Sequence, residues 1–261
     1  MTMAPAPETV EVEFIAPRHL AGGGDPAWIT IPLHRACGWS HGDDPLMPRV
    51  LLSSPGRKAL LRLEPEPDGQ WWTLHHAAEP DRPAWYASFG ARTPVELIAA
   101  ATDALTDPAP PTGASSDPYG PLQQVGWSPA SADNGLVSPD GTAYVQRLGS
   151  VEEPGAWFVT AALGRDRPVW QARFGAHTPA YLVAAFTAAL AHPKPVLRMD
   201  SGRGLPTRDP NVVARRTTDV LAVYVAGALE ERVHSLAARH ATPPASPNPS
   251  RQPPAKNSRS R

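Results

Sequence analysis

The chain has 261 residues, 41% of them hydrophobic, and a formal net charge of -1. That length suffices for one large domain or two small ones with a substantial core, and the charge balance demands neither nucleic acid nor an anionic membrane as partner. The lone cysteine, Cys37, excludes an intramolecular disulfide and a cysteine-ligated metal centre.

The opening stretch, MTMAPAPETVEVEF, lacks a basic segment followed by an apolar run, so no signal peptide is expected. The longest apolar run, Leu221 to Leu229, is too short to span a bilayer, so no membrane association is expected and the cytoplasm is the default location. The 33 prolines and the excess of arginine over lysine read as the codon bias of a GC-rich bacterial genome rather than as a functional signal.

A first unit is expected over residues 10–107, entered through the segment PRHLAGGGD (Pro17 to Asp25). A Pro-Leu pair then starts a short helical turn that Gly38-Trp39 closes. A hairpin turn at SSPGRK and a third strand with Trp72 follow. The fourth strand alternates Trp85-x-Ala87-x-Phe89, which puts those three side chains on one face. Thr93 is expected to cap the next helix, with Pro94 at its first position and Glu96 completing a capping box. Leu97, Ile98, Ala101 and Leu105 form that helix's apolar face.

After a Pro-, Gly- and Ser-rich linker over residues 108–118, the pattern returns over residues 119–193. PLQQVGWS answers PLHRACGWS, SPDG answers the first turn, and RFGAHTPAYLVAAFTAAL answers SFGARTPVELIAAATDAL, all about 85 residues on, the signature of a tandem duplication. Pro139 and Asp140 suit the centre of the second turn and Gly141 a position of positive φ. Thr178 and Pro179 repeat the expected cap, and Leu182, Val183, Phe186 and Leu190 the apolar face. Each unit therefore reads as four antiparallel strands covered by one helix, and the chain as an α+β protein of two tandem ββββα repeats.

Residues 194–240 read as a loop followed by a C-terminal helix, which Asp219 is placed to cap and whose stripe is Leu221, Val225, Leu229, Val233 and Leu236. Such a helix docks on its own domain or forms a homodimer. The Pro-, Ser- and Arg-rich tail over residues 241–261 has the composition of a disordered segment.

The PRHLAGGGD segment, the paired GW and SPDG-type turns, and the duplicated W-x-A-x-FG-x-x-TP-x-x-L helix entry resemble an actinobacterial family known as domain of unknown function 317, over about Phe14 to Leu190. The resemblance implies two copies of one module and carries no activity and no catalytic residue.

Three motifs are set aside. GWSHG (Gly38 to Gly42) fits G-x-S-x-G, but a nucleophile elbow needs a strand before the serine and a helix after it. Gly22-Gly23-Gly24 is followed by Asp-Pro where a phosphate loop would place Gly-Lys, so a flexible turn is the better reading. His75 and His76 point to opposite faces of one strand and cannot share a metal. No catalytic residue, cofactor or metal ligand is assigned.

Of the eight tryptophans, Trp39/Trp127, Trp72/Trp157 and Trp85/Trp170 are equivalents in the two copies, as a shared core requires. Trp71 and Tyr86 have Ala156 and Gln171 as counterparts. With Arg62, Arg147 and Arg173 they are the candidates for a binding surface. Rings interleaved with arginine suit single-stranded nucleic acid; exposed rings equally suit a protein partner, with the C-terminal helix contributing. The expectation is thus a non-enzymatic binding or regulatory protein, single-stranded nucleic acid being the first partner considered and a protein-interaction scaffold the second.

Overall fold

The computed structural model describes residues 8–42, 50–64, 69–108, 116–130, 135–149, 155–164, 166–199 and 204–241. Most of the expected linker and all but the first residue of the expected disordered tail lie outside the described residues.

The duplication builds one sheet. In the first copy, β2 (Ser40–His41), β3 (Val50–Ser53), β4 (Ala59–Leu63), β5 (Gln70–His76) and β6 (Trp85–Gly90) lie side by side in chain order. In the second, β7 (Ser128–Pro129), β8 (Gly135–Val137), β9 (Ala143–Leu148), β10 (Ala156–Ala162) and β11 (Pro168–Phe174) do the same. The halves join where β6 pairs antiparallel with β11, giving ten strands in the order β2-β3-β4-β5-β6-β11-β10-β9-β8-β7. Phe89 stands opposite Ala172, Ala87 opposite Phe174, and Ser88 opposite Arg173, its own equivalent, so a pseudo-twofold axis passes between those two residues. The expected four strands per unit are present, each set extended by a two-residue edge strand after the GW dipeptide.

Helices α2 (Val95–Thr106) and α4 (Ala180–Ala191) lie against each other on one face of this sheet. The alternation in β6 and β11 is what creates that face: Trp85, Ala87, Phe89, Trp170, Ala172 and Phe174 are all buried. Phe186 of α4 stacks on Phe89 and meets Phe174 edge-on. The six paired tryptophans are buried as well. Burying a large side chain of this kind contributes about 1.5–3 kcal/mol.

The helix starts differ from the sequence expectation. Pro94 and Pro179 have extended ψ values of 128° and 131°, so each proline is itself the cap, and neither threonine caps a helix N–H. The Val95 N–H donates instead to the Gly23 carbonyl at 2.7 Å. Glu96 turns away from the box to grip Arg198, with contacts of 2.6 and 2.9 Å. A long-range acceptor and a long-range cation have displaced a local motif.

The first turn departs from the second in one detail. Gly141 takes the left-handed conformation after Ser138-Pro139-Asp140 (φ 70°), whereas in the first copy Arg57 holds that position (φ 55°).

A second, three-stranded sheet was not expected. Strand β1 (Thr9–Ala16) lies between β12 (Val196–Arg198) and β13 (Ala214–Leu221), antiparallel to both. Asp219 pairs with Glu11 inside β13 and caps nothing; α5 (Ala222–His240) begins after Leu221. Its stripe docks on α1 (Ala27–Cys37) within the same chain, with Val233 and Leu236 buried. Arg232 anchors it through a two-pronged pair with Asp103 of α2 at 2.8 and 2.9 Å. A short α3 (Gly120–Gln124) is the second copy's counterpart of α1.

The glycine segment is a strap rather than a flexible turn. Gly22 and Gly24 have positive φ, and a Cβ on Gly23 would lie 2.8 Å from the Ala91 carbonyl oxygen. Arg198 donates to the carbonyls of Ala21 and Gly22. His19, just upstream, reaches the second copy: its Nε2 lies 2.7 Å from Thr142 Oγ1, and the Trp170 indole donates to its carbonyl at 2.7 Å. PRHLAGGGD thus spans the pair of copies.

Candidate binding face

The helices cover one face of the ten-stranded sheet; the strands' alternate residues form the other. Because Trp72, Leu74, Ala87, Phe89, Ala172 and Phe174 point to the core, Thr73, Ser88 and Arg173 point away from it. Direct pairing lines these up in one row across the sheet: Leu51, Arg62, Thr73, Ser88, Arg173, Phe158, Gln146 and Gly135.

Four of the five residues singled out from the sequence share this face. Arg62 and Arg173 lie in the row itself, three strands apart on either side of the small Thr73 and Ser88. Trp71 is 41% exposed beside the irregularity that β5 makes between Gln70 and Trp72, and Tyr86 is 49% exposed one row over. The Tyr86 ring lies 6.4 Å from that of His75, its cross-strand partner. Burial first, and then Arg62, depress the His75 pKa below the usual imidazole value, so this ring stays neutral near pH 7.

Arg147 does not belong there. It shares the parity of buried Ala143 and Val145, stands opposite Trp157, and lies with its guanidinium 6.0 Å from the Trp157 ring on the helix side. It shields that indole at the core's margin, a cation–π role.

The arginines are held in place. Arg62 pairs with Glu64 at 3.5 Å, and Arg173 donates through Nε to Gln171 at 2.8 Å. Gln171 in turn donates to Thr160, 3.2 Å away. The face therefore offers two oriented cations, two exposed rings, and a floor of hydroxyls and amides. Phe158, Thr73 and His75 were missed as members, although the period-two reading that placed Trp72 inside also places them outside.

A cleft of about 350 Å³ lies elsewhere, where the loop from β5 to β6 meets the start of α4. His76 stacks on Trp85 at its wall, at 5.2 Å and 7° between planes. His75 and His76 thus diverge as their strand positions require. Among the described residues, no cluster of three or more His, Cys, Asp or Glu side chains could hold a metal ion. Ser40 of the GWSHG stretch sits in the edge strand β2, preceded by helix α1, the reverse of an elbow's order. Among the described residues, no helix is long and apolar enough to cross a membrane.

The family model described as SPDY, domain of unknown function (DUF317), matches residues 53–111 and 137–196, the body of each copy from the first hairpin to the end of its helix. No curated protein and no solved structure matches the chain.

Proposed function

We propose that this chain, a member of the DUF317 family with two tandem copies of its domain, is a non-enzymatic, cytoplasmic binding protein. It takes single-stranded nucleic acid across the outer face of its joined sheet. The observation that carries this reading is the row in which Arg62 and Arg173 flank Thr73 and Ser88, with Trp71 and Tyr86 exposed on the same face. Two cations reach backbone phosphates, and exposed rings stack on bases that a single strand leaves unpaired. The chain's net charge of -1 is no obstacle, because what a ligand meets is the local field of this face.

A fluorescently labelled single-stranded oligonucleotide tests it by anisotropy. Affinity falls steeply with salt, by a log–log slope of about -0.7 for each phosphate neutralised. Arg173→Ala weakens binding and flattens that slope; Trp71→Ala weakens it by about 1–3 kcal/mol with the slope unchanged. An oligonucleotide that stays free even at low salt overturns the reading.

The second reading, a protein-interaction scaffold, is favoured by the first turn of α5, where Val223 and Tyr224 are 67% and 69% exposed. Exposed rings are enriched at protein interfaces. Partner capture that is insensitive to salt and lost in Tyr224→Ala selects it over the first.

A further inference from the structure

Sheet edges with unpaired backbone groups invite another strand, and folded proteins blunt them by shortness, by proline, or by charged side chains, lysine above all, that repel an incoming copy; charges of both signs on one edge can instead pair with it. Three of the four edges here are blunted. The ten-stranded sheet ends in two-residue strands, β2 and β7, the latter containing Pro129, and β12 is three residues long directly after Lys194-Pro195. The fourth edge is different. Strand β13 runs for eight residues, Ala-Arg-Arg-Thr-Thr-Asp-Val-Leu, with neither proline nor lysine. It pairs along its whole length with β1, and no second strand flanks it among the described residues. Ala214 to Asp219 are exposed on both faces.

From this edge we infer that β13 pairs antiparallel with β13 of a second copy of the chain, about a twofold axis at Thr217, joining two three-stranded sheets into one of six.

The register follows from symmetry and charge. A twofold axis between antiparallel strands sets one residue opposite its own copy, as the pseudo-axis of the large sheet does with Ser88 and its equivalent Arg173. With Thr217 on the axis, Arg215 faces the second copy's Asp219, twice over, and Arg216 faces Thr218. With Thr218 or Arg216 on the axis, neither arginine faces Asp219. Only the Thr217 register is self-complementary.

The pairing also answers a conflict inside the monomer. Glu11 and Asp219 stand directly opposite each other on β1 and β13, without a cationic partner among the described residues. Like charges so placed destabilise a strand pair. The second copy's Arg215 arrives beside Asp219. Arg215 already binds Glu13 through one nitrogen, and a guanidinium has donors for a second carboxylate. Exposed Val223 and Tyr224 follow directly on the strand and extend the contact with apolar surface. This interface is separate from the nucleic-acid face, and neither inference requires the other.

Sedimentation velocity of the full-length chain over a concentration series, with exchanges at the exposed axis residue, tests it. The wild-type chain reaches twice the monomer mass. Thr217→Lys and Thr217→Glu each place like charges face to face across the axis and sediment as monomers; circular dichroism shows both folded, with melting like the wild type for the lysine and a lower midpoint for the glutamate, which stands opposite Glu13 on β1. Mixed in equal amounts, the two variants recover the dimer mass as a heterodimer, which a merely misfolded strand would not do. A wild-type chain that stays monomeric, its edge free or covered by residues 1–7 or 242–261 of the same molecule, overturns the inference. So does a dimer that survives both exchanges.

Discussion

The Phe89 ring of the first copy stacks on the Phe186 ring of the second at 5.7 Å and 19° between planes. One residue comes from a central strand, the other from the helix that the duplicated unit supplies, so the core belongs to both copies at once. A chain cut after Asp107 loses Phe174 and Phe186 from around Phe89 and leaves β6 as a raw edge of apolar character. Such a fragment is expected to show no cooperative thermal transition and to aggregate, measured by circular dichroism and light scattering. A sharp melt of the half-chain would contradict a shared core.

Arg57 offers a gain. It adopts a left-handed φ of 55° in the first hairpin turn, where the second copy has Gly141. A residue with a Cβ pays roughly 1–2 kcal/mol for that conformation. Arg57→Gly removes the strain, offset in part by the freer unfolded chain. The expected result is a stabilisation of about 0.5–1 kcal/mol, seen as a higher urea midpoint at unchanged slope.

Arg198 ties three segments together. It is 6% exposed, grips Glu96 with both terminal nitrogens, and donates to the carbonyls of Ala21 and Gly22. Arg198→Ala leaves a carboxylate and two carbonyls inside without their donor. Breaking a buried pair from one side costs about 3–5 kcal/mol, and chemical denaturation should report a loss in that range. Arg198→Lys recovers only part of it, because a point charge cannot reproduce the fork.

His19 makes stability depend on pH. Burial pushes its pKa down from 6.5 to about 4, and the Asp140 carboxylate 3.6 Å away offsets only part of that. Below pH 6.5 the unfolded chain takes up a proton that the native chain refuses, so stability falls as the pH drops from about 6.5 to about 4. Above that window the residue contributes no slope. The full effect is roughly 3 kcal/mol. His19→Gln is expected to be less stable than wild type at pH 7, with the difference shrinking steadily toward pH 4. A constant difference across that range would refute it.

What the letters disclosed was local or periodic. The Trp85-x-Ala87-x-Phe89 alternation, written twice, is enough to derive a sheet face and the helix that covers it. Trp71 and Tyr86 were legible as exposed because their counterparts, Ala156 and Gln171, show that the core does not need those rings. Arg147 was grouped with them by charge alone; counting two residues from buried Val145 puts it on the other side. The small sheet was hidden for another reason. ARRTTDVL has almost no apolar rhythm, and β1 finds its partners about 200 residues away in sequence, a distance over which propensity carries no signal. The helix caps failed similarly: nothing near Thr93 announces that Gly23 will supply the acceptor.

The duplicated halves are not under the same constraint. Ser138 to Thr142 receives His19 against its side, while the matching tip from Ser54 to Lys58 has no such visitor among the described residues. Insertions or changes of length should be absorbed at the first tip and rejected at the second. One early segment thereby converts two interchangeable modules into a fixed left and right, and leaves one half the freer to drift.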